Sequence, residues 1–249
     1  MAVGLAVGLV AGCAGLASKA VGQNLPLQAA NAAPVEAAAR GAIAALERDF
    51  PGVGTQWYLG RVSGIYGVPM AAAGSPEAAA AQWLESYGAA LGAGPLGKGT
   101  GRLELSLRRA DDVAGGTFKV FVYDQLIDGV PVDHGAVRVL VRRDAIPGVA
   151  PSGASQDAVV LVTSKIAVPD AETGLVPAKV SAADAMMIAK ATPLLRSLTV
   201  WSEPEPAVYF GEGDKAEWIT PRLVWAMNAE IPEMENRRSV RVFVDAATG

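Results

Sequence analysis

Histidine and cysteine are almost missing from this chain of 249 residues, which contains one of each, His134 and Cys13. A catalytic zinc site such as His-Glu-Xaa-Xaa-His needs two histidines one helical turn apart, so a single histidine cannot form it. A Ser-His-Asp triad would need His134 and Asp133 on one side of the backbone, but neighbouring residues of a strand point to opposite faces. A single cysteine also has no partner for an internal disulfide. We therefore predict that the chain is not an enzyme and has no catalytic residues, no metal and no cofactor.

An excess of positive charge is missing as well. The chain has 21 Lys and Arg residues against 25 Asp and Glu residues, which gives a formal net charge of −4 and a pI near 5.1. Nucleic-acid-binding proteins usually carry a clustered basic face, so we exclude nucleic acid as a partner. The acidic pairs at 111–112 and 233–235 predict solvated turns rather than metal sites, because hard cations need several converging oxygens.

The apolar run at the N-terminus ends at Cys13 and is shorter than the roughly 20 residues that a transmembrane helix needs. Its last residues, Leu9-Val10-Ala11-Gly12-Cys13, resemble the lipobox of bacterial lipoproteins, in which the cysteine is acylated. Three interpretations stay open: a lipoprotein signal with lipidation at Cys13, an ordinary secretion signal cleaved near Ala17 or Ala20, and a cytosolic start. We favour a signal peptide over residues 1–20. The expected location is secreted or cell envelope, with membrane contact only through a possible lipid anchor.

Helix signals recur along the chain. We predict a tether and an N-terminal helix over residues 21–54, because the Ala-rich stretch from Pro34 to Asp49 places apolar residues at helical spacing. Ser75 followed by Pro76 predicts the N-cap and first turn of a second helix. A third helix begins at Ser181 in a capping-box arrangement.

Alternating apolar and polar residues predict strands after each of the last two helices. The predicted strands cover residues 103–107, 118–126 and 136–141 in the first half, and 198–201, 207–210, 223–230 and 239–244 in the second. Prolines and glycines from 169 to 177 separate the two groups. This pattern predicts an α+β fold of two successive helix-plus-antiparallel-sheet domains of the cystatin-like kind, over residues 55–168 and 178–249.

The strongest motif lies in the turn between two of these strands. The chain reads Gln125-Leu-Ile-Asp-Gly-Val-Pro-Val132, with a glycine following at 135. It resembles the Gln-Xaa-Xaa-Xaa-Gly-Val-Pro-Val core in the propeptides of thermolysin-like and fungalysin-like zinc metallopeptidases. The segment from Ser75 to Gly92 is similar to the helix ending in Leu-Gly that opens their N-terminal propeptide domain. The resemblance implies that residues 55–168 form a propeptide domain of this type.

The C-terminal part is similar to the second propeptide module of the same precursors, often called PepSY. In that module a helix precedes a Leu-Xaa-Trp strand and a closing strand that ends in Asp-Ala-Xaa-Thr-Gly. The matching stretches here are Val180–Ala185, Pro221–Ala226 and Arg241–Gly249. Residues 178–249 are therefore expected to form a PepSY-like domain, and the two resemblances follow each other in the family's order.

The resemblance implies a non-catalytic propeptide that acts as intramolecular chaperone and inhibitor of a secreted zinc metallopeptidase, whose catalytic domain follows in the same precursor. The alternative is a freestanding, lipid-anchored envelope protein that binds or inhibits peptidases in trans. In either case the expected partner is a zinc metallopeptidase catalytic domain, and we predict that it contacts one hairpin. The hairpin residues are Gln125, Asp128, Gly129, Val130, Pro131, Val132 and His134. His134 is either an ordinary exposed residue of the hairpin, or a contact or pH-sensing residue at the interface.

Overall fold

The computed structural model describes residues 5–8, 32–92, 96–97, 103–146, 156–168, 175–211, 220–231 and 238–249. Cys13, the predicted lipidation site, lies outside these ranges. Among the described helices, none is both long and apolar enough to cross a membrane.

Within these ranges the chain forms three α-helices and eleven strands. The helices are α1 (Ala32–Asp49), α2 (Pro76–Tyr87) and α3 (Ala182–Ala191). The strands are β1 (Leu5–Gly8), β2 (Gly54–Tyr58), β3 (Arg61–Ala73), β4 (Glu104–Val113), β5 (Phe118–Ile127), β6 (Val130–Ile146), β7 (Gln156–Lys165), β8 (Val200–Trp201), β9 (Glu205–Tyr209), β10 (Arg222–Ile231) and β11 (Arg238–Asp245). Short 3-10 turns occupy Gly88–Leu91, Ala114–Gly116 and Pro193–Leu195.

The predicted helix starts are confirmed by their side-chain caps. The Ser75 hydroxyl accepts a hydrogen bond from the Ala78 backbone N–H at 3.2 Å, and Pro76 occupies the first helical position of α2. The Ser181 hydroxyl accepts from the Asp184 N–H at 3.1 Å and donates to the Asp184 carboxylate at 2.7 Å. Each cap satisfies a backbone donor that has no partner inside its helix, which fixes where α2 and α3 begin.

The largest core lies between the helices α1 and α2 and one face of the sheet. Leu46 of α1 and Trp83 of α2 are fully buried there, against apolar residues of β3, β6 and β7. A second, smaller core lies between α3 and the strands β10 and β11, around Ala185, Met227 and Val242. The helices α1 and α2 therefore cover strands of the first half, and α3 covers strands of the second.

All eleven strands belong to one mixed sheet, whose main order is β1-β11-β10-β9-β6-β7-β3-β2, with β4 and β5 continuing from β6 and β8 pairing with β10. Most neighbours are antiparallel, but β6 and β9 are parallel and meet at the pair Val132 and Val208. Strands take 52% of the described residues, so the fold is sheet-rich.

The prediction of two successive cystatin-like domains is therefore wrong. Two domains of that kind would each have an antiparallel sheet of their own. Here the Val132–Val208 pair joins the strands of the first half to those of the second, and apolar side chains from both halves pack around it. Residues 169–174, inside the segment where the sequence predicted the boundary, lie outside the described ranges.

Strand β1 comes from the stretch that the sequence predicts to be a signal peptide. It pairs antiparallel with β11, with Leu5 opposite Val244 and Gly8 opposite Arg241. Cleavage of a signal peptide over residues 1–20 would remove β1 and leave that edge of β11 unpaired. The signal peptide itself stays a prediction.

The packing of α1 can be tested with one core substitution. We expect Leu46→Ala to lower the free energy of unfolding by about 2–5 kcal/mol, because Leu46 is fully buried and its truncation leaves a cavity. The measurement is urea unfolding followed by circular dichroism.

The matched control is Leu107→Ala on β4, where the side chain is 53% exposed. Its effect should stay within about 0.5 kcal/mol. Equal losses for the two variants would contradict the placement of α1 on the core.

Candidate functional site

The hairpin between β5 and β6 turns through two residues, Asp128 and Gly129. Ile127 and Val130 face each other across the turn, and φ is +52° at Asp128 and +78° at Gly129. Positive φ at both central positions defines the type I′ turn, whose twist matches that of the flanking strands. Asp-Gly is a preferred sequence for this turn, so these two residues by themselves favour a hairpin at this position.

After only two paired residues beyond the turn, Val130 and Pro131, β6 leaves its register with β5. Asp124 pairs with Ala136 and Leu126 pairs with Pro131, so the four residues 132–135 of β6 stand opposite Gln125 alone. This stretch, which we call the β6 bulge, includes His134 at a φ of +56°. The bulge turns Val132 away from β5 and allows it to pair with Val208 of β9.

The Gln125 side chain fills the gap that the bulge leaves in the sheet. Its amide nitrogen donates to the Ala167 carbonyl at 2.6 Å, and its amide oxygen accepts from the Ala167 N–H at 2.7 Å. Gln125 is only 1% exposed. The primary amide therefore replaces a strand backbone as the partner of Ala167, and two buried backbone groups are satisfied.

Gly135 closes the bulge and leaves no room for a side chain. A Cβ added at Gly135 would lie 2.6 Å from Val132 Cγ1 and 3.1 Å from Gln125 Oε1. Such distances are well below van der Waals contact, so only glycine fits between these two side chains.

Around the bulge an apolar cluster joins the two halves of the sheet. Its buried members are Ile127, Val132, Ala167, Val208 and Phe210, with Leu59, Val130 and Leu175 packed against them. We call this group the junction cluster. It stabilises the contact between β6 and β9, because pairing at one residue alone would contribute little.

Next to the junction cluster lies a charged cavity of about 330 Å³, which we call the junction cavity. It is lined by Arg108, Asp124, Pro131, Val132, Asp133, His134, Gly135, Ala136, Arg138, Ala207 and Arg241. These residues come from β4, β5 and β6 on one side and from β9 and β11 on the other.

The carboxylate of Asp133 is the most buried charge in the cavity, at 8% side-chain exposure. Arg241 Nε lies 2.7 Å from Asp133 Oδ1, and His134 Nε2 lies 3.5 Å from Asp133 Oδ2. Asp133 therefore links the bulge to β11 through charge as well as through packing. Burial raises the pKa of the nearby Tyr209 phenol, and the negative charge of Asp133 raises it further.

The expectation that Asp133 and His134 point to opposite faces is wrong. The positive φ of His134 interrupts the alternation of the strand and brings its imidazole back toward the Asp133 carboxylate. The pair still lacks a nucleophile, since the described residues that line the cavity include neither serine nor cysteine.

The structure divides the predicted hairpin residues into two groups. Gln125 and Val132 are buried and hold the sheet together, whereas Asp128, Gly129, Pro131 and His134 are exposed near the turn. Val130 is partly buried against the junction cluster. Only the exposed group is available to a partner protein.

Reasoning from the sequence did not identify the arginines that line the junction cavity. Arg108, Arg138 and Arg241 are separated by many positions and belong to no motif, so no sequence signal brings them together. Their proximity arises only from the strand order. Over the described residues, no group of three or more His, Cys, Asp or Glu residues is placed to hold a metal ion.

No protein-family model matches the sequence, and no curated protein matches it. The likeness to metallopeptidase propeptides therefore depends on the motifs and on their order.

The tight fit of Gly135 leads to a prediction. We expect Gly135→Ala to lower the free energy of unfolding by about 1–3 kcal/mol, because the added methyl overlaps Val132 and forces the bulge to shift. Urea unfolding of the purified variant measures this loss.

The control is Gly41→Ala in α1, where an added Cβ meets nothing within 4 Å. Since alanine favours the helix over glycine by about 1 kcal/mol, this variant should be more stable than the parent protein. A stabilising effect of Gly135→Ala would contradict the described bulge.

The Gln125 amide gives a prediction that depends on pH. Gln125→Glu keeps an acceptor for the Ala167 N–H, but an ionised carboxylate would face the Ala167 carbonyl without a proton to donate. Burial raises the pKa of the new carboxyl in the folded state above the unfolded value of about 4.3, so folding binds a proton. The loss of stability should be smallest below about pH 4 and should grow, to about 3–5 kcal/mol, as the pH rises to 8.

The measurement is the urea midpoint of the variant relative to the parent protein between pH 4 and pH 8. Gln125→Met serves as the uncharged control and should lose stability equally at every pH, because it leaves both Ala167 groups unpaired. A loss for Gln125→Glu that does not change with pH would show that the side chain is not buried against Ala167.

Proposed function

We propose that this chain is a non-catalytic propeptide module that assists the folding of a secreted zinc metallopeptidase and inhibits it. The observation that carries the proposal is the structural role of the motif that resembles the family. Gln125 forms two hydrogen bonds to a buried backbone, Asp128-Gly129 forms a type I′ turn, and Gly135 has no space for a side chain. Each of these residue types is required by its position in the hairpin, which supports a structural role for the motif over a chance match of letters.

The burial of some motif residues also reduces the number of hairpin residues that could contact a partner. Val132 and Gln125 lie inside the sheet and cannot reach another protein, so we assign partner contact to the exposed tip of the hairpin, at Asp128, Pro131 and His134. Because β5 and β6 continue into the rest of the sheet, the tip is held in one orientation. A preorganised hairpin loses little conformational freedom on binding, and this favours inhibition of a partner's cleft.

The peptidase can be encoded in the same reading frame, as in a precursor, or separately. A lipid anchor at Cys13 would suit the second arrangement, in which the chain acts on secreted or envelope peptidases in trans. The codons after residue 249 distinguish the two arrangements, since a His-Glu-Xaa-Xaa-His motif in frame places the partner in the same precursor.

The test is an inhibition assay with the full chain and a panel of thermolysin-like zinc peptidases. We expect stoichiometric inhibition of peptide hydrolysis for at least one enzyme. The double variant Asp128→Asn/His134→Asn keeps residues that tolerate positive φ at both positions. It should weaken inhibition by about tenfold or more, because central contacts of an interface can each contribute about 1 kcal/mol or more.

Glu47→Ala on the exposed side of α1 is the control and should inhibit like the parent chain. Absence of inhibition across the panel, together with no peptidase domain in the downstream reading frame, would refute the proposal. Equal weakening by the control and the hairpin variant would place the contact elsewhere.

A further inference from the structure

The junction cavity contains more positive than negative charge, although the whole chain is acidic. Three arginines line it, Arg108, Arg138 and Arg241, against two carboxylates, Asp124 and Asp133. With a neutral His134 the cavity therefore carries one net positive charge, whereas the chain as a whole carries −4.

Both carboxylates of the cavity, Asp124 and Asp133, already form ion pairs. Arg108 Nη1 lies 3.2 Å from Asp124 Oδ1, and Arg241 Nε lies 2.7 Å from Asp133 Oδ1. Arg138 is the third arginine, and among the described residues no carboxylate lies within ion-pair distance of it. Within the described part of the chain the cavity thus offers one guanidinium without a carboxylate partner, and His134 lines the same cavity.

The lining of the junction cavity suits a small charged group that is attached to a short aliphatic chain. Pro131, Val132, Ala136 and Ala207 contribute apolar surface between the charged side chains. A volume of about 330 Å³ accommodates an acidic side chain or a small dicarboxylic acid. Guanidinium groups bind carboxylates through two parallel hydrogen bonds, which gives arginine a geometric preference for this planar anion.

We propose that the junction cavity binds a carboxylate group, with Arg138 as its principal ion-pair partner and with Arg108 and His134 at its flanks. This inference does not depend on the proposed inhibition of a peptidase. Because Ala207 of β9 and Arg241 of β11 complete the walls of the cavity, a ligand that fills it would also contact the second half of the sheet. Binding should therefore raise the melting temperature of the full chain.

The carboxylate can belong to a free small acid or to an acidic side chain of a polypeptide. Two probes separate these sources: glutarate, and a short peptide with blocked ends and a single central glutamate. The same peptide with glutamine in place of glutamate tests the need for charge, and inorganic phosphate tests the preference for a planar carboxylate.

The experiment is calorimetric titration of the full chain with each probe at low ionic strength. For at least one of the two carboxylate probes we expect a dissociation constant on the order of 1 mM or lower. Such an affinity is usual for a ligand that makes few contacts. Binding by glutarate alone identifies a small acid, and tighter binding of the glutamate peptide identifies a polypeptide. The glutamine peptide should not bind.

Arg138→Gln should weaken carboxylate binding by about tenfold or more and should abolish the ligand-dependent rise in melting temperature. The matched control is Arg142→Gln, which removes the same charge from an exposed position of the same strand that does not line the cavity. Its effect should stay below about twofold, since a distant surface charge acts only through screened attraction. Both arginines are exposed, so both variants should keep the parent's urea midpoint.

Three results would overturn the proposal: no binding of either carboxylate probe up to about ten times the expected constant, equal weakening by Arg138→Gln and Arg142→Gln, or phosphate binding as tight as that of the best carboxylate. None of them bears on whether the chain inhibits a peptidase, so the two proposals can fail independently.

Discussion

The fold depends on one side-chain amide that takes the place of a strand. A bulge of four residues in the middle of a sheet would leave the neighbouring backbone at Ala167 without hydrogen bonds, and burial would make that costly. The two hydrogen bonds of Gln125 remove this cost. Because of these two bonds, residues 132–135 of β6 can lie out of register with β5 without leaving Ala167 unpaired. Val132 then pairs with Val208 of β9, and the sheet continues from one half of the chain into the other.

The consequences of the bulge reach beyond packing. It gives His134 a positive φ, turns Asp133 toward Arg241 of β11, and brings β6 residues close to side chains from β4, β9 and β11. The junction cavity, which has more charged lining residues than either of two other cavities formed by the described residues, therefore lies where the two halves meet. A ligand in that space would contact both halves, so binding and the integrity of the junction are linked.

The same geometry changes how the motif should be interpreted. Gln125, Val132 and Gly135 look in sequence like part of a surface hairpin, yet all three are buried and support the sheet. The motif is thus informative about architecture, and it says less about contact with a partner. The residues able to touch another protein are its exposed members near the turn, which are the ones that any binding proposal has to rely on.

Local signals in the sequence were enough to place many of the elements. The caps at Ser75 and Ser181, the Asp-Gly turn and the alternation along β5 and β6 depend on a few neighbouring residues, whose preferences survive in any fold. The sequence also established by itself that a chain with one histidine contains no His-Glu-Xaa-Xaa-His motif. The joining of the halves could not be predicted, since it depends on Gln125 meeting Ala167 and Val132 meeting Val208 across long stretches of chain. Only tertiary structure decided these contacts and the gathering of three arginines in one cavity, because residues far apart in sequence come together through strand order, which no local preference encodes.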